Sequence, residues 1–163
     1  MNNNIDCCIT KDNRWFRYRT GAFIIENDSV LFVGNNAIDY LYTVGGGVHI
    51  GETAEECIKR EVYEETGIEY EVERLAVICE NFFEGKDGKI RGLKCHCLEL
   101  YFIMKSRGIT ELKSNSYNDE NEKEQLHWIP IKEIKKHNIK PEFLQERIEE
   151  IINSERIIHI VNS

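Results

Sequence analysis

The chain has no surplus of positive charge. Its 21 Lys and Arg are outnumbered by 29 Asp and Glu, for a net charge of −8. That balance argues against a general nucleic-acid surface, which needs a basic stripe. It leaves a small phosphorylated ligand open, because a bound cation and a few local bases can supply the positive charge. No apolar run approaches the length of a membrane span. The polar start Met1-Asn2-Asn3-Asn4-Ile5-Asp6 lacks the apolar segment of a secretory signal. The six cysteines, Cys7, Cys8, Cys57, Cys79, Cys95 and Cys97, show neither Cys-x-x-Cys spacing nor a disulfide framework. The expectation is a cytoplasmic protein with no membrane partner, its cysteines used mainly as small core residues. Cys95 and Cys97 would share one strand face, which leaves a metal role open as the lesser reading. Internal repeats and domain boundaries are also missing. Residues 1–163 are therefore expected to form a single domain, with a core over about 15–153 and 154–163 as a tail or an edge strand.

What is present is a chain of strand patterns with few helices. Trp15 to Glu26 is rich in aromatic and β-branched residues, Asn27-Asp28 marks a turn, and Ser29 to Val33 returns, which predicts a hairpin. Tyr40 to Val44 is a short strand. Glu69 to Phe83 and Lys94 to Met104 form a second hairpin about the turn signal Lys86-Asp87-Gly88-Lys89. Lys105 to Gln125 is polar and reads as a loop. Leu126 to Ile131 is a short strand, followed by helical segments from about Ile131 to His137 and after Pro141. The second carries Leu144, Ile148, Ile151 and Ile152 at helical spacing. Arg156 to Val161 is either a last strand or a tail that packs on a neighbour. The order predicts an α+β fold.

One stretch breaks local rules. Gly45-Gly46-Gly47 leads into a helix whose start is signalled by Thr53 and Glu56, a capping box, and whose end is signalled by Gly67. Glu61, Glu64 and Glu65 fall within an arc of about 100° on that helix. Like charges at these spacings cost roughly 0.2–0.5 kcal/mol per pair. Ile58 and Val62 point the same way, so the acids border the buried side. Crowding of this kind beside a core suggests a functional site. A hard divalent cation such as Mg²⁺ relieves it through oxygen ligands.

The whole stretch resembles the Nudix box. Gly46, Glu52, Arg60, Glu61, Val62, Glu64, Glu65, Gly67 and Ile68 fill every fixed place of that signature. The similarity spans roughly Thr20 to Ile134, and outside the box it rests on element order and on short phrases such as Trp128-Ile129-Pro130. It implies an α/β/α sandwich with a mixed, partly barrel-like sheet. It also implies hydrolysis of a nucleoside diphosphate linked to another moiety, with Mg²⁺ as cofactor and Mn²⁺ as a substitute. Glu61, Glu64 and Glu65 are then the metal ligands, with a backbone carbonyl of Gly45 or Gly46 as a further donor. Arg60, Glu61 and Glu64 carry the catalytic roles, Arg60 by orienting the glutamates rather than by pairing along the helix with Glu56 or Glu64. Glu52 braces the loop. Gly46 belongs to the substrate-binding set.

Arg17 and Arg19 share a face of the first strand and could meet substrate phosphates, where Arg forks suit phosphate oxygens. The general base is left among Glu61, Glu64, Glu99, Asp119, Glu120, Glu122 and Glu124. Val44 stands where a proline often precedes the glycines, and His49 where an acid is common. Both departures bear on substrate choice rather than chemistry, and His49 reads either as a solvated loop residue or as an altered substrate contact. Tyr40, Tyr42, Phe82, Phe83 and Trp128 are the aromatics that could stack on a base. The expected partner is a small nucleotide, ADP-ribose-like or a nucleotide sugar, with nucleoside triphosphates as the alternative. A homodimer is open through the apolar tail. Two rivals lack their marks: a non-catalytic sensor would carry a degraded box, and an isoprenoid-diphosphate isomerase would need a cysteine placed as its acid.

Overall fold

The structure, a computed structural model, describes residues 4–113 and 123–163. In chain order the strands are β1 (Cys8–Lys11), β2 (Arg14–Phe23), β3 (Ile25–Glu26), β4 (Ser29–Gly34), β5 (Tyr42–Gly47), β6 (Val72–Glu84), β7 (Lys94–Met104), β8 (Gln125–Pro130) and β9 (Ile158–Asn162). Two α-helices, α1 (Ala54–Thr66) and α2 (Phe143–Asn153), join them, together with 3₁₀ turns at Gly88–Ile90 and Ile131–Lys136. The strand expected over Trp15 to Glu26 is broken at Ile24 into β2 and β3. The hairpin that follows turns on Asn27 and Asp28, whose φ of 48° and 59° match a two-residue turn that twists with its strands.

The sheet is mixed. β2 runs parallel to β7 from Arg14 opposite Lys94 to Phe23 opposite Ile103, and β6 runs antiparallel to β7. β5 lies antiparallel on the other edge of β2, and β4 pairs with β3, β5 and β8. α1 packs on one face through Ile58 and Val62, against Ala22, Val44 and Phe102. α2 packs on the opposite face through Phe143, Leu144, Ile148 and Ile151, against Phe23, Val77 and Tyr101. Helix, sheet and helix thus form the expected α/β/α sandwich.

The sheet, expected to be partly barrel-like, is not closed into a barrel: among the described residues β8 pairs only with β4 and β9 only with β6. Within 154–163, Ile158–Asn162 form β9, which pairs in parallel with β6 from Ile158 opposite Val77 to Asn162 opposite Asn81. At the other terminus β1 pairs with β2. Residues just before β1 reach the glycine strand: Cys7 N–H donates to Val48 O at 2.8 Å, and Ile50 N–H to Ile5 O at 2.8 Å. Among the described residues no helix is long and apolar enough to cross a membrane.

Candidate active site

α1 starts where Thr53 is extended (φ −76°, ψ 157°). Its hydroxyl accepts from Glu56 N–H at 3.2 Å, and Glu56 Oε2 accepts from Thr53 N–H at 2.8 Å. The helix stops at Gly67, whose φ of 71° is cheap only for glycine. Between these caps Cys57, Ile58, Val62, Glu65 and Thr66 are buried. Burying that stripe turns Glu61 and Glu65 toward β5.

Glycine makes the approach feasible. A Cβ on Gly46 would lie 2.5 Å from the Glu61 carboxyl carbon. A Cβ on Gly47, on the other face, would lie 2.7 Å from Asp6 Oδ2 and 2.8 Å from Arg17 Nη2. The glycine strand is therefore pressed by an acid on one side and by an Asp–Arg pair on the other.

Arg60 organises the acids. Its Nε and Nη2 fork onto Glu52 at 2.7 and 3.0 Å. Nη1 donates to Glu61 Oε1 at 2.6 Å and reaches Glu64 Oε2 at 3.4 Å, while Nη2 also donates to Gly47 O at 3.2 Å. Glu52 further accepts from His49 N–H at 3.0 Å. Arg60 thus ties helix to loop, and no pair with Glu56 forms, because Glu56 is spent on the cap. The fork from Arg60 holds the Glu52 carboxyl below the usual carboxylate range despite burial.

Glu65 is in a different condition. It is 6% exposed. Oε1 accepts from Gly45 N–H at 3.1 Å, while Oε2 is buried with no hydrogen-bond partner. Burial first, then Glu124, pushes its carboxyl well above the ordinary value. Burial also raises Glu61, against the pull of Arg60. Glu64 is exposed on its outer side and held only by Arg60. The three carboxylates do not close on one point, and among the described residues no three His, Cys, Asp or Glu side chains are grouped around a common centre. The donor set still suits a hard cation: carboxylate oxygens lie against the glycine strand, and one of them is buried and lacks a partner.

The two strand arginines part company. Arg17 is ion-paired to Asp6 at 3.3 Å, and Asp6 also faces His49 Nε2 at 3.4 Å. His49, which also lies 3.6 Å from Glu52, is therefore a bridge between the N-terminal segment and the loop rather than a solvated residue. Arg19 makes no hydrogen bond or ion pair among the described residues. Burial opposes its charge, but Glu99, Tyr101, Cys97 and Glu65 together drive its pKa upward. Glu99, opposite Arg19 in the register, is 2% exposed and accepts from Tyr101 Oη at 2.5 Å and Asn81 Nδ2 at 3.2 Å. Glu124 accepts from Tyr42 Oη at 3.0 Å and sits close enough to Glu65 to raise it. Asp119, Glu120 and Glu122 lie outside the described residues.

Sequence reasoning missed Asp6 and the link between Tyr42 and Glu124. Neither carries a local signal, since each partner lies far away in the chain. Asn162 is a third case: its Nδ2 donates to Asn81 Oδ1 at 2.7 Å and so fixes the amide that donates to Glu99.

The family model of the NUDIX domain matches residues 15–147. The chain belongs to the Nudix family. Its box is complete and folded about Arg60, and it is a pyrophosphohydrolase of that family; Nudix hydrolases generally use a divalent metal. Among solved structures, a UDP-X diphosphatase is 19% identical, with a TM-score of 0.59 over 93% of this chain and 69% of its own. An ADP-ribose pyrophosphatase from Streptococcus suis 89-1591 is 17% identical, at 0.59 over 90% and 98%. A MutT protein from Methanosarcina mazei Go1 is 18% identical, at 0.64 over 88% and 96%. At these identities the likeness is one of fold. Nudix enzymes act on small nucleotides, and in this chain Glu61 and Glu65 lie against the glycine strand with Arg60 donating to Gly47 O.

Proposed function

We propose that this Nudix enzyme is an Mg²⁺-dependent hydrolase of the diphosphate bond in a nucleoside diphosphate linked to another moiety, ADP-ribose-like or a nucleotide sugar. The observation that carries the reading is the buried, unpartnered Oε2 of Glu65 beside the acids of a complete box. The names of two similar structures, a UDP-X diphosphatase and an ADP-ribose pyrophosphatase, support the substrate class. Six free cysteines suit a reducing cytoplasm.

Glu61, Glu64 and Glu65 would hold the ion. Bound there, Mg²⁺ would offset the charge of the diphosphate and would make water easier to deprotonate. Arg60 holds Glu61 and Glu64 in orientation, and Glu52 fixes Arg60. Gly46, lacking a Cβ, lets Glu61 come close. Arg19, unpaired in the site, offers its fork to phosphate oxygens. Arg17 joins it once it is released from Asp6. The proton of the attacking water passes to an acid within hydrogen-bond reach. Glu61, Glu64 and Glu124 are the described candidates nearest the box, and Glu99 is the next, although both of its oxygens are engaged.

The test is a chromatographic panel with Mg²⁺ over ADP-ribose, nucleotide sugars and nucleoside triphosphates that follows the nucleoside monophosphate and the second phosphomonoester or pyrophosphate formed, with Glu64→Gln, Glu65→Gln and Glu124→Gln as variants. Turnover of a linked nucleoside diphosphate, lost in the Glu64 and Glu65 variants, supports the reading. Activity that survives both removes the ligand assignment. Preference for triphosphates would replace the substrate class.

A further inference from the structure

On the face of the sheet that α1 packs against, the helix covers only one end. Cys57 meets Thr20 there, Sγ to Oγ1 at 3.2 Å. Phe16 lies four residues back along β2, about 13 Å away at the strand rise. Beyond the helix the register sets side chains in two rows. In the first, Ile9 faces Phe16, Phe16 faces His96, and His96 faces Phe82. In the second, Lys11 faces Arg14 and Arg14 faces Lys94, with Glu84 continuing the row on β6. Both rows border one open hollow of about 310 Å³.

The first row is a ring platform. His96 stacks on Phe82 with centroids 4.3 Å apart and planes 25° apart, and meets Phe16 edge-on at 5.4 Å. Phe82 is nonetheless 39% exposed, whereas Thr20, Ala22 and Phe102 at the covered end of the same face are buried. The second row is cationic. Lys11, Arg14 and Lys94 are all exposed. Among the described residues none of the three side chains has a hydrogen-bond or ion-pair partner. Three cations facing one acid, Glu84, leave a positive balance on this edge of a chain of net charge −8, and they attract anions. Exposed stacked rings attract a planar ring. An acidic peptide would use the cations and leave the rings bare. A nucleoside phosphate uses both, because the rows are two strand residues, about 7 Å, apart.

We propose that this face is a second nucleotide site, outside the box and independent of a metal. The ring of a nucleoside mono- or diphosphate lies on Phe82 and His96, and its phosphates lie over Lys11, Arg14 and Lys94. None of these residues belongs to the stretch from Gly46 to Ile68.

Amide NMR titration of the intact chain with AMP in excess EDTA tests this. Ribose 5-phosphate, inorganic phosphate and a short oligo(A) strand are run in parallel. Saturable shifts confined to residues 9–16, 82–84 and 94–96 are expected with AMP. Binding of ribose 5-phosphate should be about tenfold weaker, the worth of one stacked base. Arg14→Glu with Lys94→Glu should abolish the shifts, and Phe82→Ala should weaken AMP down to the level of ribose 5-phosphate. The charge-reversed variant should keep wild-type hydrolysis and an otherwise unchanged spectrum, since its side chains are on the surface. Equal response to phosphate and AMP would overturn the proposal as adventitious anion binding only. So would saturation by oligo(A) alone, or AMP shifts that persist in the charge-reversed variant.

Discussion

Glu26 and Glu65 are both carboxylates taken almost wholly out of water, at 1% and 6% exposure. Glu26 accepts from Ser106 Oγ at 2.6 Å, Arg107 N–H at 2.6 Å, Gly108 N–H at 2.8 Å and Tyr70 Oη at 3.3 Å. Burial pushes its pKa up, but these bonds more than offset that and hold it below the usual range. Glu65 has one donor, Gly45 N–H, and an oxygen with none, and its pKa goes the other way. Similar exposure thus goes with opposite outcomes: Glu65 is the more deeply desolvated, faces Glu124 and has one donor, whereas Glu26 is supplied with four. The chain staples the strap after β7 with Glu26. It leaves Glu65 with a single donor at the glycine strand, where the proposed Mg²⁺ would supply what the protein does not.

Substitution at each position should separate the two. Glu65→Gln is expected to cost at least about 100-fold in kcat/KM, since even partners of metal ligands cost 10–100-fold. Its Tm should stay level or rise, because a poorly solvated buried charge is removed. Glu26→Ala should do the reverse. It strands two part-buried N–H groups and two hydroxyls and should lose about 3 kcal/mol, or roughly 6–12 °C in Tm for a chain of this size, with kcat/KM at permissive temperature within a few-fold of wild type. A Glu65→Gln protein that unfolds like Glu26→Ala would dissolve the contrast.

The pH dependence sharpens it. The folded pKa of Glu26 is depressed, so its contribution is fully present above the unfolded value, about 4.3. It is lost as pH falls from there through the folded value. Urea midpoints measured downward from pH 6 should fall more steeply for wild type than for Glu26→Gln.

How much of this contrast was readable in the chain follows from distance along it. The cap at Thr53, the stop at Gly67 and the acid stripe of α1 are local, and they fold as their spacing predicts. The turn at Asn27-Asp28 and the hairpin of β6 and β7 are local too. The staple on Glu26 joins residues some 80 positions apart (|i−j| of 80, 81 and 82). Asn162 meets Asn81, and Tyr42 meets Glu124, over separations of 81 and 82. No periodicity announces a partner so remote. The tail was ambiguous for the same reason: a parallel edge strand such as β9 has no turn to declare its mate. The acids of the box were visible, but which of them lacked a donor was not, because donors come from folded backbone.

Two smaller effects complete the comparison. Mg²⁺ at about 100 times its dissociation constant should stabilise wild type by roughly 2.7 kcal/mol and should do so much less for Glu65→Gln, while Glu26→Gln keeps the full gain. Thr53→Ala removes the cap that sets the start of α1 and should cost about 1 kcal/mol, seen as a small drop in the urea midpoint with little change in the stabilisation given by Mg²⁺.

The most direct measurement is calorimetric titration of Mg²⁺ into wild type and Glu65→Gln with product nucleotide present. If the bare oxygen of Glu65 completes a metal shell, wild type takes up the ion and the variant binds it at least tenfold more weakly. Equal uptake by both proteins, or none by either, would contradict that role for Glu65.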